Sequence, residues 1–102
     1  MASSAIWLRR LVDLVDELSF AEVPTRIARH LLRMAHEGGV EIKNGARVDL
    51  PMTKTDFARL LGTVSETLSR VLARLVDDGL LTVDGRTIIL ADVEALRELA
   101  ER

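Results

Sequence analysis

The chain has 102 residues, with 14 Lys and Arg against 16 Asp and Glu, a net charge of −2, 48% hydrophobic residues and no Cys. That describes one globular domain with a modest aliphatic core, and it excludes disulfides, thiolate catalysis and Cys-ligated zinc or iron–sulfur centres. No apolar run reaches the roughly 18 residues of a membrane-spanning helix and no signal-peptide pattern is present, so a cytoplasmic protein without a membrane partner is expected.

Ala5 to Leu18 predicts a first helix, with Leu8, Leu11, Val15 and Leu18 at heptad-like spacing and Ile6, Trp7, Val12 and Leu14 widening the apolar surface. So short a repeat does not define a coiled coil. The stretch suits either an amphipathic helix lying on its own domain or the end of a longer dimerisation helix. Phe20-Ala21-Glu22-Val23-Pro24 breaks the pattern, and Pro24 suits the first turn of a second helix, where a missing N–H costs nothing. That helix runs to about Glu37, with Ile27, Leu31, Met34 and Ala35 inward and Arg26, Arg29 and Arg33 outward; Gly38-Gly39 stops it. His30 and His36 share no face at ligand spacing, so no metal site is expected.

Val40 and Ile42, then Val48 and Leu50, alternate around Asn44-Gly45, which predicts a hairpin because both turn positions favour positive φ. Thr53 to Leu61 predicts a third helix, with a capping-box-like start at Thr53 and Asp56 and an apolar face of Phe57, Leu60 and Leu61. Gly62 ends it, and Thr63 with Glu66 reads as a second capping box opening the next helix. There Leu68, Val71, Leu72, Leu75 and Val76 form a stripe to be buried, opposite a short polar face of Glu66, Ser69, Arg70 and Ala73. The Gly-containing link and the small Ala58 one turn before it mark the pair as a helix-turn-helix. Asp77-Asp78-Gly79 closes the second helix of this pair. Leu80 to Val83 and Thr87 to Leu90 then flank the turn Asp84-Gly85-Arg86, and Asp92 caps a last helix carrying Val93, Leu96 and Leu99. The expected fold is mainly α with two small β-hairpins, a winged helix-turn-helix whose second hairpin is the wing.

A net charge of −2 is unusual for a nucleic-acid-binding domain. Between Thr53 and Val76, however, Lys54, Arg59, Arg70 and Arg74 outnumber Asp56 and Glu66. On the polar face, Arg70 can offer paired N–H donors to guanine O6 and N7, Glu66 can accept from a cytosine amino group, and Ser69 can bond a base or touch a thymine methyl. The bland alternatives are a capping role for Glu66 and solvated positions for Ser69 and Arg70. Thr53, Lys54 and Thr55 at the start of one helix, Thr67 in the next, and Arg86 at the wing tip are phosphate candidates. Arg74 suits a phosphate or a salt bridge, and Arg59 a neighbouring acid. No Cys, no Tyr and no Gly-rich phosphate loop leave nothing from which to build a catalytic site. The rival reading is a winged-helix module that binds protein without specific DNA binding.

The run from Leu50 to Leu90 resembles the DNA-binding domain of the Crp/Fnr regulators, and Phe20 to Ala28 resembles that family's hinge and following helix. The resemblance is carried by Thr53…Asp56, Leu61-Gly62, Glu66-Thr67-Leu68-Ser69-Arg70 and Asp84-Gly85-Arg86, and it extends over about Leu8 to Ala100. It implies that residues 1–19 are the remnant of a dimerisation helix and 20–102 the winged helix-turn-helix DNA-binding domain of a longer regulator. It further implies a homodimer in the full-length context, RNA polymerase as a further partner, and an effector-sensing domain elsewhere, so no cofactor or small-molecule ligand is expected here. The same resemblance places the recognition helix, 64–78, in the major groove and assigns base reading to Glu66, Ser69 and Arg70. Glu-x-x-Ser-Arg resembles the Fnr-like branch, which implies TTGAT-like half-sites of an inverted repeat. The catabolite-activator branch has Arg where this chain has Ser65 and Gly where it has Ser69.

Overall fold

The computed structural model describes residues 22–102, so the helix expected at Ala5 to Leu18 and the start of the hinge lie outside the described residues. The described chain opens with helix α1 over 22–37, which buries Val23, Ile27, Ala28, Leu31 and Ala35 at helical spacing. Strand β1 (Ala46–Asp49), helices α2 (Lys54–Leu60) and α3 (Ser65–Asp77), strands β2 (Leu81–Asp84) and β3 (Thr87–Leu90), and helix α4 (Val93–Ala100) follow. This is a mainly α, winged helix-turn-helix fold. Its single core joins α1 to Phe57 and Ala58 of α2, the inner face of α3, the inward residues of the sheet and Leu96 of α4. No polar or charged side chain is buried among the described residues.

The turn between α2 and α3 closes by backbone chemistry alone. Gly62 sits at φ +76, a conformation that a Cβ would strain, and donates its N–H to Arg59 O at 3.0 Å while Thr63 N–H reaches Ala58 O at 2.9 Å. At the end of α3 the same two bonds recur, from Gly79 N–H to Val76 O and from Leu80 N–H to Leu75 O. The start of α2 is as expected, Thr53 Oγ1 accepting from Asp56 N–H at 3.2 Å. The start of α3 is not. Its N-cap is Val64, which makes no side-chain cap bond, and the capping box expected of Thr63 and Glu66 does not form. The reason is economy of the link: Thr63 still completes the closure of α2, so α3 begins one residue later than that box requires.

The strands form one three-stranded antiparallel sheet in the order β1-β3-β2. The wing hairpin pairs Asp84 with Thr87 and Leu81 with Leu90. The hairpin expected around Asn44-Gly45 is corrected by the structure. The turn is there, with Gly45 at φ +90 and Ala46 N–H bonded to Lys43 O at 3.0 Å, but residues 40–43 form no strand. Instead β1 pairs with β3, Ala46 opposite Leu90 and Asp49 opposite Thr87. The alternating Ala46, Val48 and Leu50 are buried, which requires a core-facing partner; β3 supplies one through Ile88 and Leu90. Val40 and Ile42 pack half-buried on the core edge. Asn44 takes another task, its Oδ1 accepting from Val93 N–H at 2.9 Å. Asp92 accepts from Ala95 N–H as expected, so the first turn of α4 is capped from two directions.

Candidate nucleic-acid interface

Helix α3 divides sharply. Leu68, Val71, Leu72 and Leu75 are buried, each contributing on the order of 1.5–3 kcal/mol, and this stripe fixes the helix's rotation on the core. Val76, expected to complete the stripe, is 38% exposed, and Leu60, expected on the inner face of α2, is 51% exposed. Both stand at helix ends, where the helices leave the core.

Opposite the stripe, Glu66, Ser69 and Arg70 all face solvent. Arg70 Nη2 donates to Glu66 Oε1 at 2.6 Å, with the side chains 70% and 74% exposed respectively. An exposed i,i+4 pair of this kind is worth about 0.3–0.5 kcal/mol. It orders the two groups without holding them against a competitor, and the remaining guanidinium donors stay outward. The face thus offers a carboxylate, a hydroxyl and a guanidinium on a helix whose other side is anchored.

The remaining candidates lie around this face. Thr53 and Thr55 are exposed and Lys54 half-exposed at the start of α2, and Thr67 is half-buried in the first turn of α3. Arg86 is exposed at the wing turn, next to Gly85 at φ +61. Its backbone carbonyl accepts from Leu50 N–H at 2.9 Å, which moors the wing tip beside the segment leading into Thr53. Asp49 meets the wing as well, accepting from Thr87 Oγ1 at 2.6 Å. Neither Arg59 nor Arg74 forms an ion pair with a carboxylate among the described residues, contrary to the expectation for Arg59.

Two features escape sequence reasoning. Val64, at the N-cap of α3, is 64% exposed beside the polar face. Arg26 of α1 reaches Leu61 O in the helix-turn-helix link; no periodicity signals a bond between residues so far apart in the chain. A crevice of about 1070 Å³ opens elsewhere, between α1, α4 and the C-terminal half of α3, and none of Glu66, Ser69 or Arg70 lines it. Among the described residues no His, Cys, Asp and Glu cluster could hold a metal ion, and no helix is long and apolar enough to cross a membrane.

Comparison with known proteins agrees with this geometry. The family model of the Crp-like helix-turn-helix domain matches residues 25–99. Over 93 residues the chain is 31% identical to the CRP-like cAMP-activated global transcriptional regulator of Mycobacterium tuberculosis, a match covering 91% of this chain and 42% of that protein. It is 39% identical over 75 residues to the nitrogen fixation regulation protein FixK of Rhizobium meliloti, covering 72% of this chain and 34% of that one. The crystal structure of DNR from Pseudomonas aeruginosa matches with a TM-score of 0.78 and 33% identity, over 96% of this chain and 42% of that chain. The chain therefore spans less than half the length of these relatives. Its matched domain, its helix-turn-helix closed at Gly62 and its wing together place the chain in the Crp/Fnr family of transcriptional regulators.

Proposed function

We propose that this chain binds double-stranded DNA sequence-specifically as the DNA-binding part of a transcription regulator, with the recognition helix, 64–78, in the major groove. The observation that carries this reading is the outer face of α3, where Glu66, Ser69 and Arg70 stand exposed while four apolar side chains on the inner face are buried. In this reading Arg70 meets guanine O6 and N7, Glu66 a cytosine amino group, and Ser69 a base edge or thymine methyl. Thr53, Lys54, Thr55, Thr67 and Arg86 meet phosphates, which position the domain without specifying sequence. The Glu-x-x-Ser-Arg arrangement supports TTGAT-like half-sites in an inverted repeat, bound by two copies in the full-length context. RNA polymerase is a further partner in the same reading, and the cytoplasm its setting.

Selection of bound sites from a random duplex pool tests this directly. Recovery of a TTGAT-containing inverted repeat is expected; a pool that stays random through successive rounds refutes base reading. A second reading, a protein-docking module, has one observation in its favour: Leu60 and Val64, both largely exposed, flank the helix-turn-helix link. The two readings separate on salt. Duplex binding whose log affinity falls steeply with log salt concentration belongs to phosphate contacts, and apolar docking would show little such dependence.

A further inference from the structure

Arg26 lies on α1, outside the helix-turn-helix, yet its guanidinium is bonded into the link that joins α2 to α3. Nη1 donates to Leu61 O at 2.8 Å, and Nη2 donates to Glu22 Oε2 at 2.8 Å, one turn back on the same helix. Leu61 is the C-cap of α2. The closing turn uses the carbonyls of Ala58 and Arg59, so Arg26 supplies the donor for a carbonyl that the turn itself leaves over. The guanidinium also packs against the glycine, since a Cβ at Gly62 would stand 3.1 Å from Nη1. Glu22 and Arg26 are 65% and 45% exposed at their side chains, and such a pair adds little stability. What it does is orient the guanidinium, so that the other nitrogen faces Leu61 O.

From these contacts we infer that Arg26 is a positioning residue for base reading: it holds the path of residues 61–63 and, through it, the place where the N-terminal half of α3 meets DNA. This rests on the DNA-binding reading above. The apolar stripe of α3 sets the helix's rotation, but hydrophobic contact is non-directional, and the bond from Arg26 adds a directional hold on the link. Hydrogen bonds to base edges weaken steeply with distance and angle. A small displacement of Glu66 and Arg70 therefore costs discrimination while leaving general phosphate attraction intact.

The fold contains its own control. Arg29, on the same helix, makes chemically similar bonds at the end of α4, from Nε to Ala100 O at 2.7 Å and from Nη2 to Arg102 O at 2.9 Å. Both arginines cap helix ends; only Arg26 touches the link to α3. The test compares Arg26→Met and Arg29→Met in the 102-residue chain, measuring thermal midpoint, affinity for the site recovered by selection, and affinity for a scrambled duplex. Arg26→Met is expected to lower the specific-to-scrambled ratio roughly tenfold, within what one bidentate base contact supplies, with scrambled affinity unchanged. Amide exchange at Gly62 and Thr63 should quicken in the same variant. Arg29→Met is expected to lower the midpoint while the ratio stays within about twofold. Arg26→Gln, which stays polar but is too short to reach Leu61 O, carries the same comparison where the methionine variant does not fold. Equal ratios in both variants, or a ratio unchanged in Arg26→Met, overturn the inference while the DNA reading stands. A wild-type chain that prefers no duplex overturns both.

Discussion

Arg70 projects from α3 with its guanidinium already bonded to Glu66, so a guanine edge would meet a side chain whose freedom is partly removed before contact. Arg70→Ala is expected to cost about 1–3 kcal/mol on a TTGAT site and to flatten preference at the G, read by titration across point-mutated duplexes. Unchanged discrimination would move base reading off this residue. Lys54→Ala should behave differently, weakening all duplexes alike and reducing the salt slope by about 1; a loss confined to one base pair would contradict a phosphate role. His30 offers a prediction away from the interface. Its ring stands edge-on to Phe57 with centroids 6.5 Å apart, and burial first, then the charge of Arg33, hold its pKa below the ordinary 6.5. Below about pH 6.5 the unfolded chain therefore binds more protons at this site than the folded one, and stability falls as pH drops through that window. Urea midpoints should be lower at about pH 5.5 than at about 7.5, and His30→Gln should reduce the difference; an equal difference in the variant would place its origin in other groups.

The elements differ in how openly the chain announces them. α2, α3 and the wing were legible because their signals are local: Thr53 as a cap, Gly62 and Gly79 as closures, and Gly85 in the wing turn. The polar face of α3 followed from the same periodicity. The pairing of β1 with β3 was not legible. Asn44-Gly45 does make a turn, but which strand β1 joins is settled by the core, and β3 lies far along the chain. Thr63 shows a second limit: its N–H closes α2 while α3 opens at Val64, and spacing alone does not say at which residue the second helix starts. The Asn44 side chain, read only as half of a turn, is also a cap. Asn44→Ala should cost about 0.5–2 kcal/mol by leaving Val93 N–H without its acceptor, seen in the urea midpoint. Faster exchange at the Val93 amide would localise the loss, and an undisturbed midpoint would show that water replaces the amide.

For the molecule as a whole, affinity and specificity are separable. On the proposed DNA-binding reading a single copy would engage one half-site, and modules of this kind bind non-specific duplex with Kd on the order of 10⁻⁴–10⁻⁶ M. Joining two copies through an N-terminal coiled coil should favour a palindrome over a lone half-site by avidity; equal affinities for the two duplexes would show that the copies cannot engage together. The sheet bears on the same scale. Because β3 is its central strand and β1 arrives from before the helix pair, the chain entering the pair and the wing leaving it are held in one sheet, and the bond from Leu50 N–H to Arg86 O ties the exit of β1 to the wing turn. A transplant of residues 53–90 into another scaffold would leave one edge of β3 bare and the wing unmoored, so the portable cassette for redesigning specificity begins at the turn before β1.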